Sequence, residues 1–570
     1  MIYTSSKPAS TTIPQLDLLS FLFESQESLA TETTVLHAEA ANPTEGITKA
    51  QARVLTRRIA HTLRTRFGIG QHGSGKDIVV VMSTGQYLLP ILFYGILAAG
   101  GVASFASSSF RPEELARQIK QGSAKLCISC PNTQDILVSA ARLADFPLHR
   151  SLVFDSSQPQ GRLRMLTADS SDSAKSVIGE SELDWERITN KEELENSLIC
   201  LLYSSGTTGA PKGVKLSHAG MVAEACLVGE GAREHWETKE KWDYRTLAHL
   251  PIAHVAGLEG YFVIPFYMGG TTFWMPKFDF AQFLEYNRSL EITTFFSVPP
   301  IYLLCAKSPL VKDHFRSLKA AISGAAPLGK NLQIEVSKKL GVFLAQTWGL
   351  SETTGSASGG EINIEDLSGS VGPLYPHINI RHVEAPHAAI LCANRLLRII
   401  DDDGNDCAPG TPGEVLVQGP IVTKGYFNNP EANADSFRDG FLCTGDIGFI
   451  KDGRLFIVDR KKELIKYKGL QVAPAELEAL LISHPHILDA GVIGIFDEEL
   501  ATEVPRAYVV ADRAAISAAA IKDFVKSRLA SHKQLRGGVE FVTAIPKSAS
   551  GKILRKDLRA MATSPTKAKL

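Results

Sequence analysis

The sequence Leu201-Leu-Tyr-Ser-Ser-Gly-Thr-Thr-Gly-Ala-Pro-Lys-Gly-Val-Lys215 joins an apolar run to a loop of glycines and hydroxylated residues. The apolar run predicts a buried strand that leads directly into the loop. Glycines let backbone N–H groups close on phosphate oxygens, hydroxyl groups can donate hydrogen bonds, and a lysine adds positive charge. The candidate phosphate-binding residues are Ser204, Ser205, Gly206, Thr207, Thr208, Gly209 and Lys212. Because Gly213 follows Lys212, where a Walker A loop has Ser or Thr, this is a different kind of phosphate loop.

Apolar runs and helical patterns alternate on both sides of this loop. Upstream, Ile78–Phe110 contains no charged residue, but Pro90 and the pair Gly100–Gly101 interrupt it. We interpret this segment as strand, helix and strand rather than a membrane span, since buried parallel strands are uniformly apolar. The alternation predicts an α/β fold with a parallel sheet and crossover helices. The predicted strands are Ile78–Met82, Val102–Ala106, Leu198–Tyr203, Thr293–Val298 and Ala320–Ser323, and the predicted helices are Tyr87–Ala99, Ala219–Val228 and Leu332–Leu340.

The C-terminal part of the chain has a different pattern. After Asp401, short strands such as Gly413–Gln418 and Arg454–Val458 are separated by Gly and Asp, which predicts an antiparallel β subdomain. The sequence therefore predicts a large N-terminal α/β domain of several subdomains over residues 1–461 and a small mobile α+β domain over residues 462–570. The elements predicted for the small domain are helices at Pro474–Leu481 and Ala518–Leu529 and strands at Gly491–Phe496 and Ala507–Val510.

Composition excludes several functional classes. The chain has 570 residues, and 60 Lys and Arg against 61 Asp and Glu leave a net charge of −1. There is no global field to gather nucleic acid or anionic lipid, so any anion site must be local, and we expect no nucleic-acid partner. With 44% hydrophobic residues, the chain can bury a large core, which excludes wholesale disorder.

The eight scattered cysteines indicate a reducing compartment, and no secretory signal is expected at the N-terminus. Cys127-Ile-Ser-Cys130 lacks a second ligand pair, so we expect no metal or redox function there.

Further signatures follow the phosphate loop in a fixed order. Together with residues 201–215 they resemble the adenylate-forming superfamily, which includes acyl-CoA synthetases, 4-coumarate:CoA ligases, beetle luciferases and peptide-synthetase adenylation domains. The resemblance covers nearly the whole chain and is closest to the 4-coumarate:CoA ligase-like enzymes, through Glu463-Leu-Ile-Lys-Tyr-Lys-Gly and Val472-Ala-Pro-Ala-Glu476. The other signatures are Leu250-Pro-Ile-Ala-His254, Ser323-Gly-Ala-Ala-Pro-Leu328, Gln346-Thr-Trp-Gly-Leu-Ser-Glu352, Thr444-Gly-Asp446, Asp459-Arg460, Lys466-Tyr-Lys-Gly-Leu-Gln471 and Pro546-Lys-Ser-Ala-Ser-Gly-Lys552.

The resemblance implies an ATP-dependent acid–CoA ligase that passes through an acyl-adenylate and releases AMP and pyrophosphate. Since the first step brings a carboxylate towards a polyanion, catalysis depends on charge compensation and alignment. By resemblance, Glu352 would bind Mg²⁺, Ser351 would touch phosphate, and Trp348 would flank adenine. Asp446 and Arg460 would hold the ribose hydroxyls. The same motifs add Gly324, Ala325, Gln346 and Thr347 to the nucleotide site.

The resemblance also assigns roles in the small domain. Lys552 would bridge the substrate carboxylate and the α-phosphate, although without the surrounding motif we would interpret it as a solvated lysine of a basic tail. Lys462 matches a hinge that exchanges Lys552 for the loop Lys466–Gln471. In that loop Lys466 and Gln471 would act near the acyl-adenylate, and Gly469 would let the backbone approach coenzyme A. By the same resemblance, His254 of the large domain would form a gate between the acyl pocket and the coenzyme A tunnel, although a lone buried His is more often structural.

The acid and the acceptor of the acyl group leave alternatives open. The acyl pocket is expected between the His254, Val298–Tyr302 and Ser323–Pro327 segments, and small Ala253 and Gly257 favour an aryl or medium-chain acid. One alternative is a stand-alone adenylation enzyme that loads a carrier protein, although Pro251–Leu258 lacks the Asp that amino-acid adenylation domains usually carry. Another is a luciferase-like adenylating oxidase. A catalytically silent binding module is disfavoured by the complete set of motif residues.

The last three residues, Ala568-Lys-Leu570, have the form of the Ser-Lys-Leu peroxisomal address, with Ala in place of Ser. We therefore expect recognition by the peroxisomal import receptor and a peroxisomal location, with a cytoplasmic location as the alternative. The alternative interpretation is a frayed basic tail, because a three-residue address is easily matched by chance. Peroxisomal import would suit fatty-acid or aryl-acid activation, or a secondary-metabolite pathway.

Overall fold

A computed structural model of the chain confirms a mixed α/β architecture with a large N-terminal and a small C-terminal domain. Among the described residues, no helix combines the length and the apolar character needed to cross a membrane. The residues described are 2–5, 12–157, 161–166, 176–204, 211–362, 364–382, 397–400, 407–408, 410–468, 470–498, 500, 502–548 and 551–563.

The principal sheet of the large domain is parallel at its centre and antiparallel at both edges. Its central strands are fully buried and uniformly apolar because helices cover the sheet. The predicted strands Ile78–Met82 and Val102–Ala106 have the bounds expected, and the predicted Leu198–Tyr203 strand is found at Cys200–Ser204. The strand order across the sheet is Lys212–Leu216, Cys200–Ser204, Val102–Ala106, Ile78–Met82, Leu126–Ser129, Ser151–Asp155 and Arg162–Met165.

Two smaller sheets of the large domain are also parallel apart from one edge. The predicted strand Ala320–Ser323 has the expected bounds, and Thr293–Val298 shortens to Thr294–Ser297. The first of these sheets runs Arg245–Ala248, Thr271–Trp274, Val35–Glu39 and Gly46–Thr48. The second runs Thr294–Ser297, Ala320–Ser323, Leu344–Leu350 and Gly355–Gly359.

The predicted antiparallel subdomain is present, and the chain's N-terminus contributes to it. Ile2–Thr4 pairs with Asn379–His382 and Leu397–Ile400, a pairing between distant segments that the sequence pattern did not predict. The remaining strands of this sheet are Gly413–Val417, Phe437–Arg438, Phe441–Lys451 and Arg454–Arg460.

The helices of the large domain pack on the sheets through aromatic and aliphatic side chains. Leu89–Ala98 is buried along its whole length, and its Phe93 packs on Phe262 with ring centroids 5.6 Å apart. This burial supplies the hydrophobic stabilisation that holds the layers together. The helices are Leu18–Phe23, Lys49–Phe67, Leu89–Ala98, Pro112–Gln121, Gln134–Ala144, Lys191–Asn196, His218–Thr238, Val255–Leu258, Ile264–Tyr267, Phe280–Ser289, Pro299–Lys307, Lys330–Leu340 and Pro430–Ser436. Shorter 3₁₀ turns lie at Pro131–Thr133, Leu148–Arg150 and Ser351–Thr353, and a π-helical turn lies at Glu259–Val263.

The small domain has its own core between helices and an antiparallel pair of long strands. The predicted helix Ala518–Leu529 ends earlier, at Lys526. The helices are Pro474–Ile482, Ala518–Lys526 and Arg555–Thr563, with a 3₁₀ turn at Ser531–Lys533. The strands are Ile465–Tyr467, Leu470–Val472, Ile487–Asp497, Thr502–Ala511 and Val539–Phe541. The C-terminal tripeptide 568–570 lies outside the described residues.

Candidate active site

The phosphate loop is described only at its two ends. Ser204 ends the strand Cys200–Ser204 and is paired in register with Lys212, which begins the antiparallel strand Lys212–Leu216. The two strands are neighbours at one edge of the principal sheet, so the residues that flank the loop lie side by side. The candidates Ser205, Gly206, Thr207, Thr208 and Gly209 lie outside the described residues.

Tyr426, which the sequence analysis did not identify, contacts both Lys212 and Glu352. The Lys212 ammonium lies 4.9 Å from the centre of the Tyr426 ring. The Tyr426 hydroxyl donates a hydrogen bond to Glu352 Oε1 at 2.9 Å. Glu352 sits in the 3₁₀ turn Ser351–Thr353, and its carbonyl accepts from the backbone N–H of Thr423 at 2.8 Å. The phosphate-loop lysine therefore contacts the ring of a buried tyrosine whose hydroxyl binds the candidate metal ligand.

Asp446 is the centre of a second cluster. It is 4% exposed and is paired in register with Arg460 on the neighbouring strand. Its Oδ1 lies 2.5 Å from Arg460 Nε, and its Oδ2 accepts a hydrogen bond from Trp348 Nε1 at 2.8 Å. The sequence analysis expected Trp348 to present its ring face to adenine. The structure shows in addition that its indole N–H orients the carboxylate expected at the ribose.

The remaining nucleotide-site candidates of the large domain have internal contacts. Gln346 Nε2 donates to Gln333 Oε1 at 3.2 Å, and Thr347 Oγ1 donates to the Ser358 carbonyl at 2.5 Å. Gly324 lies against Phe296 and Thr347, and Ala325 has a positive φ of 69°. These side-chain hydrogen bonds fix the orientation of Gln346 and Thr347 within the large domain.

The small domain places the Lys552 loop at this cleft. Gly551 has φ of +80°, and a Cβ on it would lie 3.2 Å from both Val298 and Pro300 of the large domain. Lys552 is exposed to solvent, and charged residues of the large domain surround it. Partial loss of hydration and the Arg460 charge lower the pKa of Lys552, while Asp446 and Glu352 act in the opposite direction. Lys552 therefore lies in the field of the candidate ribose and metal residues.

His254 lies beside the same lysine and has a structural role as well. Its Nδ1 accepts a hydrogen bond from the backbone N–H of Ala256 at 3.3 Å, so it caps the helix Val255–Leu258. Burial lowers the pKa of His254 to about 3, and the Lys552 charge contributes. The imidazole is therefore neutral at physiological pH. Its role as a gate stays a prediction.

The residues predicted to act in thioester formation lie on a hairpin of the small domain. Lys466 and Gln471 are paired in register on the hairpin Ile465–Tyr467 and Leu470–Val472, and both are exposed. The Lys466 backbone N–H donates to Glu503 at 2.7 Å, and its carbonyl accepts from Thr502 at 2.7 Å. Gly469 lies outside the described residues. In this arrangement Lys552 is at the cleft, while the hairpin faces solvent.

The sequence analysis missed Tyr426. It also missed the pair of Arg555 and Glu478, which holds the loop that carries Lys552. Tyr426 follows Gly425, whose φ is +116°, so a Gly-Tyr pair in a turn was the available signal. Arg555, three residues after Lys552, forms two hydrogen bonds to Glu478 at 2.8 and 2.9 Å.

The cysteines of the Cys127-Ile-Ser-Cys130 segment, where the sequence predicts no metal or redox function, lie in the core of the large domain. Cys127 and Cys130 are both buried, and the Cys130 thiol lies 3.3 Å from the Thr133 hydroxyl. Burial raises the pKa of the Cys127 thiol. At Cys130 burial acts in the same direction, but hydrogen bonds with Thr133 and Thr84 outweigh it and lower the pKa. In the part of the chain that the structure describes, His, Cys, Asp and Glu form no cluster of three that could hold a metal ion.

Comparisons with known proteins identify the family of this chain. The AMP-binding enzyme family model matches residues 23–427, and the AMP-binding enzyme C-terminal domain matches residues 476–552. A putative acyl-coenzyme A synthetase of Emericella nidulans is 47% identical, covering 97% of each chain. A 4-coumarate–CoA ligase of Solanum tuberosum is 35% identical, covering 98% of this chain and 96% of the relative. The crystal structure of ATP-bound MatB from Rhodopseudomonas palustris superposes with a TM-score of 0.78 at 26% identity, covering 96% of this chain and 99% of that one. The chain therefore belongs to the AMP-binding enzyme family and, within the adenylate-forming superfamily, to the group of AMP-forming acid–CoA ligases.

Proposed function

We propose that this enzyme activates a carboxylic acid with ATP and transfers the acyl group to coenzyme A. In the first step a carboxylate oxygen of the acid attacks the α-phosphorus of ATP, and the bond to pyrophosphate breaks. In the second, the coenzyme A thiolate attacks the acyl carbon, and AMP leaves. The observation that supports this proposal is the convergence of Lys552 with Asp446, Arg460 and Glu352 at one cleft between the domains.

The charges at the cleft suit the first step. Lys552 would stabilise negative charge as it moves from the carboxylate to the bridging oxygen. Asp446 would accept hydrogen bonds from the ribose diol, held in place by Arg460 and Trp348. Lys212 and the phosphate loop would contact the phosphates.

The donor set fits Mg²⁺. Mg²⁺ commonly binds one or two protein carboxylates together with substrate phosphates, and Glu352 is a carboxylate held by Tyr426 on the phosphate side of the cleft. When bound, the ion would neutralise phosphate charge and polarise the α-phosphate. Glu352 and the ATP phosphates would hold it.

The second step requires a different arrangement of the small domain. We propose that it rotates about Lys462, near the boundary predicted between residues 461 and 462. The rotation would withdraw Lys552 and bring Lys466, Gly469 and Gln471 to the acyl-adenylate. The exposed position of the Lys466–Gln471 hairpin is compatible with a surface that becomes functional only after this motion.

We further propose an aryl or medium-chain acid as substrate. The similarity to a relative named for 4-coumarate supports an aryl acid. Gly257 had been interpreted as leaving room for the acid. A Cβ there would lie 2.2 Å from the Pro251 carbonyl oxygen, so the backbone approach explains this glycine without reference to the substrate.

The first test separates the two steps with Lys552→Ala. We expect acid-dependent exchange of pyrophosphate into ATP to fall by about 100-fold or more, because the variant lacks the ammonium that stabilises the transition state. Thioester formation from pre-made acyl-adenylate should largely survive. Lys556→Ala, four residues later and exposed, is the matched control. Equal loss of both half-reactions would remove Lys552 from the first step.

The proposed peroxisomal location depends on the Ala568–Leu570 tail. A fluorescent fusion with the native C-terminus should give punctate fluorescence that coincides with a peroxisomal marker. Deletion of the three residues should leave it diffuse in the cytosol. Punctate import of the deleted fusion would show that the tail is not the address.

A further inference from the structure

The segment 423–427 runs alongside the strand that follows the phosphate loop. Two backbone hydrogen bonds, of 2.8 and 3.1 Å, join the segment to the strand Lys212–Leu216. Between these two bonds, Val214 of the strand and Tyr426 of the segment form an antiparallel β-bridge. The backbone of Tyr426 is therefore attached to the strand that begins with the phosphate-loop lysine.

The same segment is attached to the turn that carries Glu352. The Thr423 backbone N–H donates to the Glu352 carbonyl at 2.8 Å. The Thr423 hydroxyl donates to the Lys215 carbonyl at 2.6 Å. One short segment therefore joins the strand after the phosphate loop to the turn of the candidate metal ligand.

The side chain of Asn433 fixes the backbone of Tyr426. Its Oδ1 accepts a hydrogen bond from the Tyr426 N–H at 2.6 Å, and its Nδ2 donates to the Tyr426 carbonyl at 3.2 Å. Gly425 has a φ of +116°, and a Cβ on it would lie 2.5 Å from Asn433 Oδ1, so a larger residue there would displace Asn433. Because Tyr426 is also only 7% exposed, the protein itself sets the position of its ring.

The Tyr426 side chain contacts two charged residues through two different neutral groups. Its hydroxyl donates to Glu352 Oε1, and a carboxylate held through one oxygen can present the other to a metal ion. Its ring faces the Lys212 ammonium, which a cation–π contact directs without neutralising its charge. A direct ion pair of Lys212 with Glu352 would compete with the phosphates and with the metal ion for both charges. With Tyr426 between them, both charges stay available.

We propose that Tyr426 is a positioning residue for the adenylation step, in which its hydroxyl orients Glu352 towards Mg²⁺ and its ring holds Lys212 at the phosphates. This inference rests on the proposed function and adds a residue to its site. The two contacts can be removed separately, because phenylalanine retains the ring and lacks the hydroxyl.

The test measures ATP binding by isothermal titration calorimetry without an acid, once in EDTA and once with saturating Mg²⁺. The ratio of the two dissociation constants reports the contribution of the metal ion, and the metal-free constant includes the contribution of Lys212. In Tyr426→Phe we expect the ratio to fall by about tenfold or more, the usual effect of losing a group that orients a metal ligand. The metal-free constant should not change. A merely structural tyrosine would not move the ratio.

The Mg²⁺ dependence of pyrophosphate exchange gives an independent readout. In Tyr426→Phe the half-saturating Mg²⁺ concentration should rise by about tenfold or more, and saturating Mg²⁺ should restore most of the rate. Tyr94→Phe is the matched control, since Tyr94 is fully buried and its hydroxyl donates to the Phe262 carbonyl. The control should lower stability without a change in the Mg²⁺ dependence.

Variants without an aromatic ring test the contact with Lys212. Tyr426→Leu should weaken metal-free ATP binding by about threefold or more, the effect of losing a cation–π contact. Adding Tyr426→Leu to Lys212→Met should weaken it no further, because the two residues act as a pair. Tyr426→Met is a second ringless variant, since a flexible methionine fills irregular space in a core.

The outcomes distinguish this inference from the proposed function. An unchanged ratio in Tyr426→Phe would overturn the proposal, whether or not the ringless variants fold. A further fall in the ratio when Tyr426→Phe is added to Glu352→Gln would overturn it as well, because the hydroxyl would then act independently of Glu352. Unchanged metal-free affinity in a folded ringless variant would overturn the role of the ring. A wild-type enzyme that binds ATP but exchanges pyrophosphate with no acid would contradict the proposed function instead.

Discussion

Asp446 shows how one side chain depends on three segments of the chain. The strand pair aligns it with Arg460, and the ion pair at 2.5 Å follows from that register. Trp348 reaches it from 98 positions earlier in the sequence and donates the indole hydrogen bond. Two donors therefore fix the carboxylate before a nucleotide binds, which reduces the entropy lost on ribose recognition.

We predict that Asp446→Asn weakens ATP and AMP binding by about 10- to 100-fold, the effect of losing a charge-assisted hydrogen bond of about 1.5–3 kcal/mol. Isothermal titration calorimetry would measure the change. Glu285→Gln is the control, since its carboxylate pairs with Arg288 at 2.5 Å on the exposed surface, where ion pairs contribute little. Unchanged nucleotide affinity in Asp446→Asn would contradict the ribose assignment.

At the scale of elements, the lysine loop is held by the helix that follows it. Arg555 begins the helix Arg555–Thr563, bonds both oxygens of Glu478 and donates to the Val492 carbonyl at 3.2 Å. Burial alone would lower the pKa of Arg555, but the carboxylates of Glu478, Asp459 and Glu463 outweigh it and raise the pKa. The guanidinium therefore stays charged and anchors the loop to the core of the small domain.

We predict that Arg555→Met destabilises the small domain by about 3–5 kcal/mol, because it leaves the Glu478 carboxyl buried without its partner. Denaturant unfolding would measure the loss, and pyrophosphate exchange would fall as the Lys552 loop loses its support. The double variant Arg555→Met/Glu478→Leu should recover stability. Arg559→Met is the control, since Arg559 is 43% exposed and bonds Glu463 at 2.8 Å. A loss no larger than that of the control would show that the pair does not anchor the loop.

At the scale of the whole molecule, the two domains form one of the two arrangements that the proposed reaction needs. Gly551 contacts Val298 and Pro300, and Gly329 at the start of the helix Lys330–Leu340 lies against Ala479 of the small domain. The Lys466–Gln471 hairpin is exposed. The structure is therefore the arrangement in which Lys552, rather than this hairpin, is at the cleft.

We predict that Gly329→Cys/Ala479→Cys forms a disulfide that locks this arrangement. A Cβ on Gly329 would lie 2.8 Å from Ala479 Cβ, so a small displacement brings the pair to the 3.5–4.5 Å of a disulfide. Under oxidising conditions pyrophosphate exchange should continue, while thioester formation should fall at least about tenfold and return on reduction. The two single-cysteine variants are the controls. Full thioester formation by the oxidised variant would contradict domain rotation.

Local pattern predicted much of the fold. The strands Ile78–Met82, Val102–Ala106 and Ala320–Ser323 have the bounds expected, because apolar runs between turn residues depend mainly on neighbours in sequence. The strand Ile2–Thr4 was not predicted, since its partners are hundreds of positions away and its three residues carry no pattern of their own.

The sequence by itself determined the family, the order of its motifs and the kind of chemistry they support, because those depend on residue types at short spacings. Only the tertiary structure decided that Tyr426 joins Lys212 to Glu352 and that Trp348 orients Asp446. Each of these contacts brings together residues that are 74 to more than 200 positions apart. The physical reason is that packing, rather than sequence spacing, sets the distance between such side chains.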